Sequence, residues 1–203
     1  PIPTNEALGD YYIYKIPYKL EISGKESITV RLYDAREISF KKTYLFQNYE
    51  RGQKEEPLAV EIEISNTEEN NLNIPLPQGK IELFQSTEDG QIEFLGEDNL
   101  KQIPKGATAK LTAGRAFDVV GKRTVLNYDR QRKSEEASIE IKITNSKYID
   151  VDVKLIENIS GDWVIKDEST MYIKQDASTI YFPLTIPADS EIFVTYTYRK
   201  EWN

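Results

Sequence analysis

The sequence of 203 residues contains no cysteine and no histidine. Without cysteine, the chain can form neither disulfides nor thiolate nucleophiles nor cysteine-ligated zinc sites. Without histidine, it lacks the base of the Ser-His-Asp triad and every acid–base mechanism that depends on imidazole. Catalysis would have to depend on Asp, Glu, Tyr, Lys or Arg. We therefore predict that the chain is not an enzyme and has no catalytic residues, no metal site and no cofactor.

Long apolar runs and excess positive charge are also missing. No segment approaches the roughly 20 apolar residues of a membrane-spanning helix, so no transmembrane segment is predicted. The formal net charge is −8, and an acidic chain repels phosphate backbones, so no nucleic-acid partner is expected. The chain begins at Pro1 without the apolar region of a signal peptide, and we expect a processed or trimmed product. The following residues, Glu135 and Glu136, offset the charge of the one basic cluster. This cluster consists of Lys122, Arg123, Arg130, Arg132 and Lys133.

Short segments of alternating polarity are abundant. Val60, Ile62 and Ile64 alternate with glutamates, which predicts a strand with one buried and one exposed face. Turns at Ser23-Gly24-Lys25 and Glu88-Asp89-Gly90 are expected to join neighbouring strands into hairpins. No window shows helical periodicity, so the sequence predicts an all-β protein. The other strand-like segments include residues 18–22, 27–33, 107–112, 117–120, 124–128, 138–144, 149–155 and 191–198.

Two parts of the chain are similar to each other. The segment that ends at Asn66 is similar to the one that ends at Asn145, and each is followed at a similar distance by an Ile-Pro pair, a turn and a further strand. Together with the length, this similarity predicts two consecutive antiparallel β-sandwich domains of the immunoglobulin-like type. We place the first at residues 1–114, with an N-terminal arm over residues 1–10, and the second at 115–203. The alternative is one domain whose amphipathic strands merely look alike.

Four acidic residues around one predicted hairpin are candidates for ligand binding: Glu88, Asp89, Glu97 and Asp98. Two facing carboxylates would suit a glycosidase, and several carboxylate oxygens would suit calcium. No Asp-x-Asp-x-Asp-Gly spacing is present, however, and solvated turn acids are common on any acidic sandwich. We therefore keep the four acids as ligand-binding candidates without a catalytic or metal-binding role.

Aromatic residues provide a further candidate. Trp163 follows a Gly-Asp turn, and an exposed indole can stack on a sugar or anchor a protein partner. Aromatic residues that alternate along a strand more commonly fill a core. For this reason we expect the shared face of Val194, Tyr196 and Tyr198 to be buried.

The glycine-rich stretch 95–123 lies between the two halves. Its glycines match neither a dinucleotide fingerprint nor a Walker-type phosphate loop, so we interpret them as turn or bulge residues. Asp118 and Arg123 are its most prominent polar pair. We predict that both residues serve the domain junction and not chemistry.

The same stretch carries a family resemblance. It contains Leu95-Gly-Glu-Asp, Pro104-Lys-Gly and Phe117-Asp-Val, and the chain closes on Val-Thr-Tyr-Thr-Tyr198. With these motifs the sequence resembles a bacterial family of unknown function that forms the C-terminal region of mucoidy-inhibitor-A-like proteins. The resemblance implies an extracytoplasmic β-sandwich protein, periplasmic or at the cell surface, with a signal peptide and an upstream domain outside this chain. It implies no catalytic residue and no cofactor.

These observations together predict a non-enzymatic interaction region of an exported bacterial envelope protein, whose partner is a protein or a glycan. A carboxylate-based carbohydrate-active enzyme is one alternative, and it would require two facing acids in a concave pocket. A structural spacer is the other alternative, and a smooth surface without an aromatic patch would favour it.

Overall fold

The computed structural model of the chain describes residues 4–8, 11–16, 19–87 and 89–202. Every regular element within these residues is a β-strand, which confirms the all-β prediction. The strands are β1 (Thr4–Leu8), β2 (Tyr11–Lys15), β3 (Lys41–Tyr49), β4 (Lys54–Ser65), β5 (Gly79–Ser86), β6 (Ile92–Leu100), β7 (Thr108–Arg130), β8 (Ser134–Asn145), β9 (Val151–Asn158), β10 (Asp162–Lys166), β11 (Ile173–Lys174), β12 (Thr179–Ile186) and β13 (Ser190–Glu201).

Most of the described strands belong to one large sheet. Its order is β10-β13-β8-β7-β4-β3-β9-β12-β11, and β1-β2 and β5-β6 form separate two-stranded sheets. Strand β8 is antiparallel to both β7 and β13, and β9 is antiparallel to β12. Strand β3 is parallel to β9, which requires a long connection between the two. The large sheet is curled, and it carries the candidate site described below.

The chain divides into two compact units, each assembled from three segments. Unit 1 consists of Pro1–Lys41, Glu63–Ile81 and Asp98–Leu111, and unit 2 consists of Lys42–Ile62, Glu82–Glu97 and Thr112–Asn203. Strands β3, β4, β5, β6 and β7 have residues in both units. The domain boundary that the sequence predicts, near Gly114, lies inside β7.

Unit 2 has a hydrophobic core that follows from period-two alternation. Along β8 every second residue is buried, including Ile139, Ile141 and Ile143, each with 0% exposure. On β13, Val194, Tyr196 and Tyr198 are buried, as their shared face predicts. Inward residues of β3, β9 and β12 complete the core. Each fully buried aliphatic side chain stabilises the fold by about 1.5–3 kcal/mol relative to its exposed state.

One close approach in this core requires a glycine. A Cβ atom built on Gly121 of β7 would lie 2.7 Å from Cδ1 of Phe46 on β3. The Phe46 ring is 1% exposed and packs directly on the glycine. The sequence predicts separate strands on either side of Gly121, at 117–120 and 124–128, but the structure continues β7 through it.

Asn66 and Asn145 make corresponding contacts, each within its own unit. Asn66 donates from Nδ2 to the carbonyl oxygen of Pro104, at 2.8 Å. Asn145 donates from Nδ2 to the carbonyl oxygen of Pro187, at 2.9 Å. Each asparagine is fully or almost fully buried and follows or ends a strand. The similarity in sequence therefore corresponds to the same loop-closing hydrogen bond in both units.

The structure also corrects three local predictions. Residues 19–40 contain no strand, so the hairpin expected at 18–22 and 27–33 is wrong, although the turn at Ser23 forms. The segment is instead held by side chains: the Ser39 amide donates to Asn70 Oδ1, and Arg36 donates to carbonyl groups. The three segments expected at 107–112, 117–120 and 124–128 are one strand, β7. The arm expected at 1–10 contains β1, which pairs with β2.

Candidate functional site

A fully buried ionic cluster lies in unit 2. Arg123 on β7 approaches Glu157 on β9, with Nη2 at 2.9 Å from Oε2 and both side chains 0% exposed. Tyr196 on β13 donates its hydroxyl to the same carboxylate oxygen at 2.6 Å. Arg123 also donates from Nη1 to the carbonyl oxygen of Gly52 in the β3–β4 turn. One guanidinium thus links three strands and a turn.

The pKa values of this cluster are shifted by burial and by mutual attraction. Burial raises the pKa of Glu157, and the Arg123 guanidinium opposes that rise. Burial would lower the pKa of Arg123, but Glu157 and Tyr196 raise it. Burial and the neighbouring carboxylate hold the pKa of Tyr196 well above its ordinary value. With its charged groups paired and excluded from solvent, the cluster is suited to hold strands together and not to meet a substrate.

A second network, partly exposed, lies at Glu50. Lys200 Nζ is 2.9 Å from Glu50 Oε1 and 3.4 Å from Glu135 Oε1. Ser160 donates its hydroxyl to Glu50 and lies 3.4 Å from Lys200 Nζ. Burial would raise the pKa of Glu50, but hydrogen bonds from Ser160 and Lys200 lower it. A serine beside a lysine is a pairing found in some hydrolases, but here Lys200 neutralises two carboxylates.

An open cleft of unit 2 lies on the opposite face of the sheet from the core, where β10, β13 and the start of β8 meet. Its volume is about 510 Å³, within the usual range for ligand pockets. Asp162 pairs with Glu201 across β10 and β13, and Val164 pairs with Arg199. Arg199 forms an ion pair with Glu201 at 3.0 Å. The residues that line this outer cleft are Lys133, Ser134, Asp162, Arg199, Glu201 and Trp202.

Trp202 and Trp163 occupy different positions beside the outer cleft. Trp202 is 37% exposed, and its Nε1 donates to the carbonyl oxygen of Arg132. The Arg130 guanidinium lies 5.8 Å from the Trp202 ring centre. Trp163 borders a smaller adjoining cleft, but alternation along β10 turns its indole toward the core. Its Nε1 donates to Ala177 O, and Lys174 Nζ lies 4.6 Å from the ring centre.

The acidic candidates from the sequence lie on or near the β5–β6 hairpin, which the structure confirms. Asp89 is exposed and accepts a hydrogen bond from the Thr87 hydroxyl, which lowers the pKa of its carboxyl group. Glu97 and Asp98 lie on β6, and Asp98 Oδ1 accepts a hydrogen bond from the Asn99 amide. Glu88 lies outside the described residues. Among the residues that are described, no group of three or more acidic side chains is placed to hold a metal ion.

The structure gives Asp118 and Arg123 different partners. Asp118 forms an exposed ion pair with Lys147 at 3.2 Å, whereas Arg123 is paired with Glu157 in the core. Sequence reasoning missed Glu157, which looks like an ordinary outward glutamate in Ile-Glu-Asn. One signal was available: Glu157 follows Val153 and Leu155 at period two, on the inward face of its strand.

Comparison with models of protein families, with curated proteins and with solved structures finds no match to this chain. In the part of the chain that the structure describes, no helix is long and apolar enough to cross a membrane.

Proposed function

We propose that this chain is a non-enzymatic interaction module that binds a protein or a glycan through the outer cleft. The observation that supports this proposal is an open cleft of about 510 Å³ that is lined by charged and hydroxyl side chains and by one tryptophan. A few polar groups around a concavity are the usual features of a binding site. Asp162 lies on β10, and Arg199 and Glu201 lie on β13, so the sheet fixes the positions of these three charged residues.

The distribution of ionisable groups supports a role without catalysis. Arg123, Glu157 and Tyr196, whose pKa values are shifted, are satisfied by one another and are almost completely buried. Perturbed groups mark active sites only when a substrate can reach them. The Glu50 network is similarly occupied, because Lys200 and Ser160 both bind its carboxylate.

The cellular setting is part of the proposal. We place the module in an exported bacterial envelope protein, periplasmic or at the cell surface, on the strength of the family resemblance in the sequence. We further propose two immunoglobulin-like sandwich domains. The corresponding hydrogen bonds of Asn66 and Asn145 support a repeated unit.

The test is retention of the whole chain on isolated bacterial cell envelopes. We expect the wild-type chain to sediment with the envelopes and the double variant Asp162→Asn/Glu201→Gln to remain in the supernatant. Glu140→Gln is the matched control, since it changes a glutamate on the same face of β8, away from the cleft. Equal sedimentation of all three chains, or sedimentation of none of them, would contradict the proposal.

One observation favours a second candidate, the carboxylate-based carbohydrate-active enzyme. Asp162 and Glu201 are directly opposite each other on adjacent strands, and such residues have Cβ atoms about 4.5–5.5 Å apart. Retaining glycosidases hold two carboxyl groups about 5–5.5 Å apart. Release of reducing ends from neutral oligosaccharides, abolished by Glu201→Gln, would favour the enzyme over the binding module.

A further inference from the structure

The positive and negative charges that line the outer cleft balance one another, and this limits the class of ligand that can bind there. It presents two carboxylates, Asp162 and Glu201, and two cations, Lys133 and Arg199. The whole chain, by contrast, carries a formal charge of −8. An anionic polymer would meet the two carboxylates, and a polycation would meet Lys133 and Arg199. The cleft therefore favours a ligand without net charge.

The hydrogen-bond donors and acceptors that line the cleft also favour a neutral ligand with hydroxyl groups. Ionised Asp162 and Glu201 only accept hydrogen bonds, whereas Lys133 and Arg199 only donate them. Ser134 does both, and all five line one concavity. A sugar hydroxyl both donates and accepts, so adjacent hydroxyls on a ring can pair with a neighbouring carboxylate and guanidinium. The Arg199–Glu201 ion pair, at 3.0 Å, provides both groups side by side.

The apolar lining is too small for a typical protein hot spot. Protein interfaces depend on buried aromatic and aliphatic anchors, and among the described residues Trp202 is the one aromatic side chain that lines the larger cleft. Val164, 53% exposed, borders the adjoining cleft. One partly exposed indole beside polar groups is instead suited to the apolar face of a sugar ring.

We propose that the outer cleft binds a neutral saccharide, with Asp162, Arg199 and Glu201 bonding ring hydroxyls and Trp202 contacting the ring. This inference rests on the proposed interaction function and names its ligand class. The two clefts share Asp162, Arg199 and Glu201. An oligosaccharide can therefore extend from the larger cleft into the smaller one, of about 200 Å³.

The chain has two tryptophans, of which Trp202 lines the larger cleft, whereas the Trp163 indole is turned toward the core. In Trp163→Phe, Trp202 is the single remaining tryptophan. We expect its emission to change saturably with at least one of cellohexaose, maltohexaose and xylohexaose. Calorimetry on the wild type should give the same affinity. Asp162→Asn/Glu201→Gln should weaken binding about tenfold or more, and Glu140→Gln should leave it unchanged.

Absence of binding by all three hexasaccharides, or equal binding by the double variant, would overturn the saccharide assignment. Tighter binding of polygalacturonate than of the neutral sugars would show that the ligand of the cleft is not neutral.

Envelope retention then separates this inference from the proposed function. We expect retention to be lost after periodate cleaves the vicinal diols of the envelope glycans and to survive protease treatment. Retention that survives periodate but is lost after protease would overturn the saccharide and leave the interaction module in place. No cleft-dependent retention under any condition would overturn both.

Discussion

Arg123 Nη2 lies 2.9 Å from Glu157 Oε2, and neither side chain has any exposed surface. The two residues are on strands β7 and β9, and Tyr196 of β13 binds the same carboxylate. This ion pair connects parts of unit 2 that are distant in sequence. It explains why a charged residue occupies an inward position of β7, beside Val119 and Gly121.

Removing one charge of this pair should destabilise unit 2 strongly. Glu157→Gln leaves the Arg123 guanidinium buried without a counter-charge, which costs about 3–5 kcal/mol of unfolding free energy. Urea denaturation measures the change. Asp118→Asn, which breaks the exposed ion pair with Lys147, is the control and should cost less than about 1 kcal/mol. Equal losses in the two variants would contradict the role assigned to the buried pair.

The contact between Gly121 and Phe46 predicts that alanine substitutions at two glycines will differ in their effect on stability. Gly121→Ala places a methyl group 2.7 Å from the Phe46 ring, and such overpacking costs about 1–3 kcal/mol. Gly79→Ala is the matched control, because a Cβ there has no neighbour within 4 Å. Thermal unfolding should show a lower Tm for Gly121→Ala alone. If Phe46 does not pack on this glycine, the two substitutions will have the same effect.

Acid stability should depend on Glu50. Its pKa lies below the ordinary value of 4.5 because Ser160 and Lys200 bind the carboxylate, which outweighs burial. The folded state therefore favours the ionised form, and this contribution is present above pH 4.5 and lost as the pH falls through the folded pKa. In Glu50→Gln, unfolding free energy should fall less steeply below pH 4.5. The same slope in Glu50→Gln and wild type would count against the network.

Alkaline stability should depend on the buried tyrosines. Burial, followed by repulsion from Glu135, raises the pKa of Tyr198 above its ordinary value of 10.0. The folded state holds the phenol proton, so stability is complete below pH 10 and falls as the pH rises, by about 1.4 kcal/mol per pH unit for one such group. Tyr198→Phe should reduce that slope. Tyr148→Phe, at a side chain 98% exposed, should not, and equal slopes in all three chains would argue against a buried phenol.

Period-two alternation accounts for the parts of the fold that the sequence predicts well. The buried face of Ile139, Ile141 and Ile143 and the buried face of Tyr196 and Tyr198 both follow from it. The β5–β6 hairpin follows from its turn, where Gly90 has a φ of 82° and Thr87 bonds Gln91. These features are local, so a single segment of sequence is enough to predict them.

The candidate sites depend on pairings that no local pattern contains. Glu50 and Lys200 are 150 residues apart in sequence, and Arg123 and Tyr196 are 73 apart. Alternation indicates which face a residue occupies but not which strand lies beside it. The outer cleft is likewise formed by β10 and β13, whose register alone places Asp162 opposite Glu201. The hairpin predicted within residues 19–40 is absent because an alternating segment forms no strand without a neighbouring strand to pair with.

Reversal of the positive charge of Arg199, which lines both clefts, is the sharpest test of binding through the outer cleft. Arg199→Glu changes a surface residue on the outer face and leaves the buried Arg123–Glu157 pair intact. The measurement is the fraction of the chain retained on bacterial envelopes, with the urea midpoint as a check on folding. We expect loss of retention at an unchanged midpoint. Retention equal to that of the wild type would show that the outer cleft is not the binding site.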